Sequence, residues 1–109
     1  MNDPVIDVFR SEILPKLIEL FQPEDVILFG SRVQGTAHDE SDLDVIVVAE
    51  SFRNIPQHER FPQVRERIRT KYSIDCLCYT PEEFERMKTR SSVLEGALSG
   101  PHQAVLGIV

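Results

Sequence analysis

Residues 43–48 restrict the possible fold of this chain more than any other segment does. The six residues, Leu43 to Val48, are mostly β-branched, and apolar side chains occupy both odd and even positions. Because successive side chains of a strand point to opposite faces of a sheet, this strand is predicted to be buried on both faces. Such burial requires helices on both sides of the sheet. The segment therefore predicts a small sheet flanked by helices, in an α/β (α+β) fold.

The other elements are predicted from capping residues and apolar runs. Asp3 and Pro4 are typical of a helix start, and Pro15 is expected to kink or divide that helix. Short apolar runs at 26–29 and 74–79 predict two more strands. A chain of 109 residues suits one compact domain, so we expect a single domain over positions 1–109.

A helix is predicted between the second and third strands. Apolar residues recur there at helical spacing: Phe61, Val64, Ile68 and Tyr72. The basic residues of the segment are expected to form its solvated face: Arg60, Arg65, Arg67, Arg69 and Lys71. After the third strand, Thr80-Pro81-Glu82-Glu83 predicts a helix start with a capping box.

The charge and hydropathy of the chain exclude some classes of partner. The formal net charge is −6, which disfavours non-specific binding to nucleic acid or to an anionic membrane. We therefore expect no direct nucleic-acid binding and no membrane contact. The N-terminus has no signal-peptide pattern, and no apolar run approaches the roughly 18 residues of a membrane span. A cytoplasmic location is expected on these grounds.

Two aspartates at the start of the central strand are candidate metal ligands. Asp42 and Asp44 are two residues apart, so their carboxylates are predicted to share one face. Unpaired carboxylates beside a buried strand would cost several kcal/mol each, and no basic residue within the strand neutralises them. A divalent cation would do so, and carboxylate oxygens suit Mg²⁺ or Mn²⁺.

A glycine and a serine between the first strand and a predicted helix complete the candidate site. The backbone at such a helix start attracts phosphate, Gly30 allows close approach, Ser31 offers a hydroxyl, and Gly35 permits a second tight turn. Arg32 is expected either to contact the phosphates or to be an exposed loop arginine. Ser41 is expected either to contact the ligand or only to orient the turn before the aspartates. The loop and the aspartates together predict one site for phosphates and metal.

Gly30-Ser31, ten residues, then Asp42-Leu43-Asp44 resembles the signature of the DNA polymerase β-type nucleotidyltransferase superfamily, and especially its minimal nucleotidyltransferase (MNT) branch. The resemblance implies a mixed sheet flanked by helices, two Mg²⁺ ions (or Mn²⁺), and transfer of AMP from ATP to a hydroxyl. It also implies a third carboxylate on a later strand, which Asp75 matches by placement. Asp42, Asp44 and Asp75 would then be both the catalytic and the metal-binding residues.

Members of the MNT branch are often encoded beside a HEPN-domain protein. The resemblance thus implies a HEPN-type toxin as partner and acceptor, with this chain as the antitoxin. Two alternatives stay open: a non-catalytic docking module, and a small-molecule nucleotidyltransferase of the antibiotic-modifying kind. The apolar stripe between Ile6 and Phe21 and the tail Ala104–Val109 are expected to leave apolar surface for a partner or for a homo-oligomer.

Overall fold

Residues 3–107 are described by the computed structural model, and their strands form one four-stranded sheet in the order β3-β2-β1-β4. The strands are β1 (Asp25–Phe29), β2 (Leu43–Val48), β3 (Ile74–Tyr79) and β4 (His102–Leu106). Strand β1 is antiparallel to both of its neighbours, whereas β2 and β3 are parallel. The pairing of β1 with β4 contains a bulge between Val26 and Ile27. The predicted mixed sheet is confirmed.

The N-terminal helical segment is divided where its sequence predicts. It comprises α1 (Pro4–Val8), a π-helical turn (Phe9–Ile13) and α2 (Leu14–Phe21). The Asp3 carboxylate caps α1 by accepting a 2.8 Å hydrogen bond from the Val5 amide. The wider π turn lies directly before Pro15, whose ring nitrogen cannot donate to the preceding turn. Gln22 ends α2 in the left-handed conformation, with φ of 50°.

Helices cover both faces of the sheet, as the apolar pattern of β2 predicts. On the first face, Leu43, Val45 and Val47 pack against the N-terminal helical segment and α4 (Gln57–Arg67). On the second face, Ile46 and Val48 pack against α5 (Pro81–Met87) and α6 (Ser92–Ser99). The second face is therefore the one shared by Asp44, because Asp44, Ile46 and Val48 alternate with the first set.

Two expectations about α4 are wrong. The helix ends at Arg67, so Tyr72 lies outside it, and Arg60 is buried rather than solvated. The Arg60 guanidinium donates to the carbonyls of Ile55 and Cys78 and to the carboxylate of Glu83. Burial is tolerated because these partners satisfy its N–H groups and its charge. Glu83 also closes the predicted capping box with Thr80, so one carboxylate links α4 to α5.

The expected excess of apolar surface is not found in the described part of the chain. The apolar stripe of the N-terminal helical segment packs into the core. Phe9 and Leu17, for example, are 0% and 1% exposed. The large apolar side chains exposed within residues 3–107 are Ile18 and Val93, which lie on different helices. The predicted C-terminal strand is present as β4, while Ile108 and Val109 lie outside the described residues.

Across positions 3–107, no helix combines the length and the apolar character that crossing a membrane requires.

Candidate active site

The strand register brings acidic residues together at one end of the second face. Asp75 of β3 pairs with Asp44 of β2, Asp44 pairs with Phe29 of β1, and Phe29 pairs with His102 of β4. Side chains of register partners point to the same face, so these four form one row across the sheet. Asp42 lies two residues before Asp44 and shares its face. The predicted trio of aspartates is thus assembled from two adjacent parallel strands.

Gly30 directly follows β1 and contacts the carboxylate of Asp44. Its backbone has φ of 84° and ψ of −163°, a conformation that is almost restricted to glycine. A Cβ added there would lie 2.1 Å from the Asp44 Oδ2 atom, well inside any real contact. The loop that was predicted to hold phosphates and the aspartate that was predicted to hold metal are therefore in contact, and glycine is required on two independent grounds.

The short helix α3 (Ser31–Gln34) begins at that loop. Ser31 is its first residue, adjacent to the point where Gly30 touches Asp44. Gly35 ends the helix in the left-handed conformation, with φ of 83°, and an added Cβ there would meet no atom within 4 Å. Gly35 thus permits the turn by its backbone freedom, whereas Gly30 also makes room for a neighbouring side chain.

The three carboxylates repel one another and have no cationic partner. The pKa of Asp44 is raised above its ordinary value, first by burial and then by the negative charges of Asp75 and Asp42. Asp42 accepts a hydrogen bond from the Ser73 hydroxyl, and Asp42 and Asp75 are exposed. Within residues 3–107 none of the three forms an ion pair with a lysine, arginine or histidine. The site therefore concentrates negative charge that the surrounding protein does not compensate.

The donor set fits a hard divalent cation. All three groups are carboxylates, which are the oxygen ligands that Mg²⁺ and Mn²⁺ prefer. Burial, and after it the negative charges of Asp75 and Asp42, raise the pKa of Asp44, and a bound cation would offset those two charges. As they stand, the described side chains include no group of three His, Cys, Asp or Glu residues arranged to enclose a metal ion. A cation would therefore have to draw these carboxylates together.

Arg32 is partly buried and hydrogen-bonded to the loop that precedes Asp42. Its side chain is 9% exposed and forms two hydrogen bonds, of 3.0 and 3.1 Å, with the Asp3 carboxylate. It also donates to the carbonyl of Ser41 at 3.0 Å. The exposed-arginine interpretation is therefore wrong. Ser41 closes a turn with His38 through two bonds of 2.9 and 3.0 Å, which is the orienting arrangement considered for it from the sequence.

Sequence reasoning missed Ser73, Asp3 and His102. Parallel pairing of Leu43 with Ile74 sets Asp42 opposite Ser73, and the Leu43 amide donates to the Ser73 carbonyl at 2.9 Å. His102 begins the strand beside Phe29 and is exposed. Ser73 and His102 are placed by strand order and register, and Asp3 by its tertiary contact with Arg32, and the sequence carries no direct signal for any of these. The position of Ser73 immediately before a strand that bears Asp75 was the one available indication.

Five cavities within residues 3–107 are lined by none of the three aspartates. One of these cavities, of about 400 Å³, lies on the first face between the π turn and α4.

A mixed sheet with a strand–Gly–Ser–helix turn against two in-register aspartates defines the nucleotidyltransferase class of fold. The sequence profile of the nucleotidyltransferase domain family matches residues 10–103, and the chain belongs to this family. No curated protein sequence matches the chain.

Solved structures of similar fold support this assignment. A provisionally assigned nucleotidyltransferase from Sulfolobus solfataricus is 25% identical, with a TM-score of 0.59 over 76% of this chain and 73% of that one. A toxin–antitoxin structure with AMP-PNP is 23% identical, also with a TM-score of 0.59, over 91% of this chain and 73% of that one. These likenesses show the nucleotidyltransferase fold.

Proposed function

We propose that the chain is a metal-dependent nucleotidyltransferase that transfers AMP from ATP to a hydroxyl of a partner protein. The observation that carries the proposal is the contact between Gly30 and the Asp44 carboxylate, with Asp75 in register and Asp42 alongside. A loop suited to phosphates and a cluster of uncompensated carboxylates form one surface. Asp42, Asp44 and Asp75 would hold Mg²⁺ or Mn²⁺, and Gly30 and Ser31 would face the triphosphate.

The reaction is a displacement at the α-phosphorus of ATP. The acceptor oxygen forms a bond to that phosphorus, the bond to the bridging oxygen of the β-phosphate breaks, and pyrophosphate leaves. The acceptor proton passes to a carboxylate, and the exposed Asp75 is suited to accept it. Divalent cations, when bound, supply the positive charge that neutralises the triphosphate and lowers the pKa of the attacking hydroxyl. The residues of the chain mainly position the reacting groups and balance their charge.

An acceptor hydroxyl presented by another protein is supported by the position of the site, because none of five cavities within residues 3–107 is lined by the aspartates. The toxin–antitoxin structure with AMP-PNP has a similar fold and supports a comparable setting for this chain. A HEPN-type toxin is the partner that we propose, with this chain acting in the cytoplasm as its antitoxin.

Intact mass spectrometry of a mixed reaction tests the proposal. The chain is incubated with ATP, Mg²⁺ and the product of a neighbouring HEPN-type gene, and an added AMP is expected on the partner. Asp42→Asn and Asp44→Asn should abolish the addition. Asp39→Asn is the matched control, because it removes the same charge from an exposed position in the preceding loop. An unmodified partner that still forms the complex would instead indicate a non-catalytic docking module.

A further inference from the structure

The Arg32 side chain forms more hydrogen bonds than those of its neighbours in α3, and none of its partners is Gly30 or Ser31. The guanidinium binds the Asp3 carboxylate through both oxygens and the carbonyls of Ser41, His38 and Asp39 at 3.0, 3.4 and 3.2 Å. Three successive parts of the molecule therefore meet at one side chain: the start of α1, the start of α3 and the turn before β2. A planar group with several fixed N–H donors suits this task, and a lysine would not replace it.

We infer that Arg32 is a positioning residue for Asp42 and not a ligand of the triphosphate. The Ser41 carbonyl, to which Arg32 donates, belongs to the peptide group that also contains the Asp42 amide nitrogen. Holding that carbonyl fixes the orientation of the peptide entering Asp42. On the other side of Asp42, the Leu43 amide donates to the Ser73 carbonyl and the Ser73 hydroxyl donates to the Asp42 carboxylate. Asp42 is thus held at both ends.

Asp3 completes the set of contacts that holds Arg32 against the turn before Asp42. The same carboxylate that caps α1 through the Val5 amide, at 2.8 Å, accepts both hydrogen bonds from Arg32. The Asp3 and Arg32 side chains are 16% and 9% exposed, so solvent weakens the pair less than it would a surface ion pair. To reach a triphosphate, Arg32 would have to release this carboxylate and the carbonyls of the turn. The inference rests on the proposed function, because it assigns Asp42 a role in metal binding.

The experiment compares Arg32→Gln, Arg32→Lys and Asp3→Asn with the wild type. Asparagine also caps helices, so Asp3→Asn keeps the cap and removes the charged pair. Arg10→Lys is the control, since Arg10 is an exposed arginine of the same region whose bond is to Gln103. ATP affinity is measured by calorimetry in chelator and in Mg²⁺, amide exchange is followed at residues 38–43, and AMP transfer is measured where it occurs.

If Arg32 positions Asp42, the variants should show a specific pattern of amide exchange, ATP affinity and transfer rate. Amide exchange at residues 38–43 should rise about tenfold or more in the three variants, while α5 and α6 stay protected. ATP affinity in chelator should stay within about twofold, whereas the tightening produced by Mg²⁺ should fall about tenfold. In Mg²⁺ the KM for ATP should rise in step with this loss of affinity, and kcat should fall as well. Asp3→Asn should reproduce Arg32→Gln, and Arg10→Lys should resemble the wild type.

Two results would overturn the inference. Wild-type exchange at residues 38–43 in Arg32→Gln would show that the guanidinium does not brace the turn. Loss of ATP affinity in chelator, in Arg32→Gln but not in Asp3→Asn, would make Arg32 a phosphate ligand. If the wild type itself binds no ATP with Mg²⁺ and transfers no AMP, the proposed function fails. The exchange measurement would still decide whether Arg32 holds the turn in place. If Arg32→Gln does not fold, the same measurement is made on Arg32→Lys and Asp3→Asn.

Discussion

A single methyl group at Gly30 should destabilise the fold and disrupt the site together. In Gly30→Ala the new Cβ would lie 2.1 Å from Asp44 Oδ2, so the carboxylate must leave its position. An off-rotamer side chain costs about 0.5–1.5 kcal/mol. The backbone, at φ of 84° and ψ of −163°, adds about 1–3 kcal/mol for a residue with a Cβ. We expect a total of about 2–4 kcal/mol, a large share of the roughly 5–15 kcal/mol that stabilises a small domain.

A double-mutant cycle separates the two contributions. Asp44→Ala removes the carboxylate but leaves the backbone of Gly30 as it is. In that background Gly30→Ala should cost the backbone part and a small remainder from the Cβ that stays at position 44, 3.3 Å from the new methyl group. The two changes should therefore be non-additive by about 1 kcal/mol, above the usual scatter of about 0.3–0.5 kcal/mol. The free energies of unfolding are measured by urea denaturation in chelator, so that metal binding does not enter the comparison.

Gly35→Ala is the matched control for the cycle. Gly35 also has a positive φ, of 83°, but an added Cβ meets nothing within 4 Å. It should cost about 1–2 kcal/mol whether or not Asp44 is present, and it should keep Mg²⁺-dependent ATP binding, which Gly30→Ala should lose. Equal costs of Gly30→Ala in the two backgrounds would refute the contact argument, and wild-type ATP binding by Gly30→Ala would refute the phosphate role of the loop.

Three further predictions concern charge. The raised pKa of Asp44 means that its ionised form opposes folding, so in chelator Asp44→Asn should be more stable than the wild type, by at most about 1 kcal/mol at neutral pH. This gain in stability should vanish as the pH falls below the ordinary carboxyl pKa of about 4, because both forms of the protein are then uncharged at position 44. Urea midpoints measured across pH check this, and a stability gain that grows in acid would contradict the prediction. Saturating Mg²⁺ with ATP, at about 100 times Kd, should raise the unfolding free energy of the wild type by about 2.7 kcal/mol but leave Asp44→Asn unchanged in thermal melts. Arg60→Ala should cost about 3–5 kcal/mol, because Glu83 loses its buried partner, whereas the exposed Arg65→Ala should cost under about 0.5 kcal/mol by the same denaturation assay.

Local patterns predicted those parts of the fold that local physics controls. The bounds of β2, the Asp3 cap, the division before Pro15 and the Thr80–Glu83 capping box follow from side-chain alternation, backbone donors or the missing proline N–H. The proximity of Gly30 and Asp44 also followed, because a short link between two adjacent strands returns the chain to the same end of the sheet.

Partners distant in sequence were not predictable in this way. Arg60 looked like one of several solvated arginines because its partner Glu83 lies 23 positions away. Arg32 was uncertain for the same reason, since Asp3 lies 29 positions before it. Ser73 meets Asp42 only because β2 and β3 are parallel, and strand direction has no signature in a single sequence. Asp75 was placed by resemblance and not by periodicity.

The bulge between Val26 and Ile27 has a consequence for self-association through the sheet. Strand β4 is an edge strand of five residues, and Gly107, which follows it, has φ of 106°. A bulge increases local twist and interrupts the ladder, and a short edge offers few unpaired N–H and C=O groups. This edge is therefore a poor template for a strand of a second molecule, and a homo-oligomer is not expected to form by adding a strand to β4.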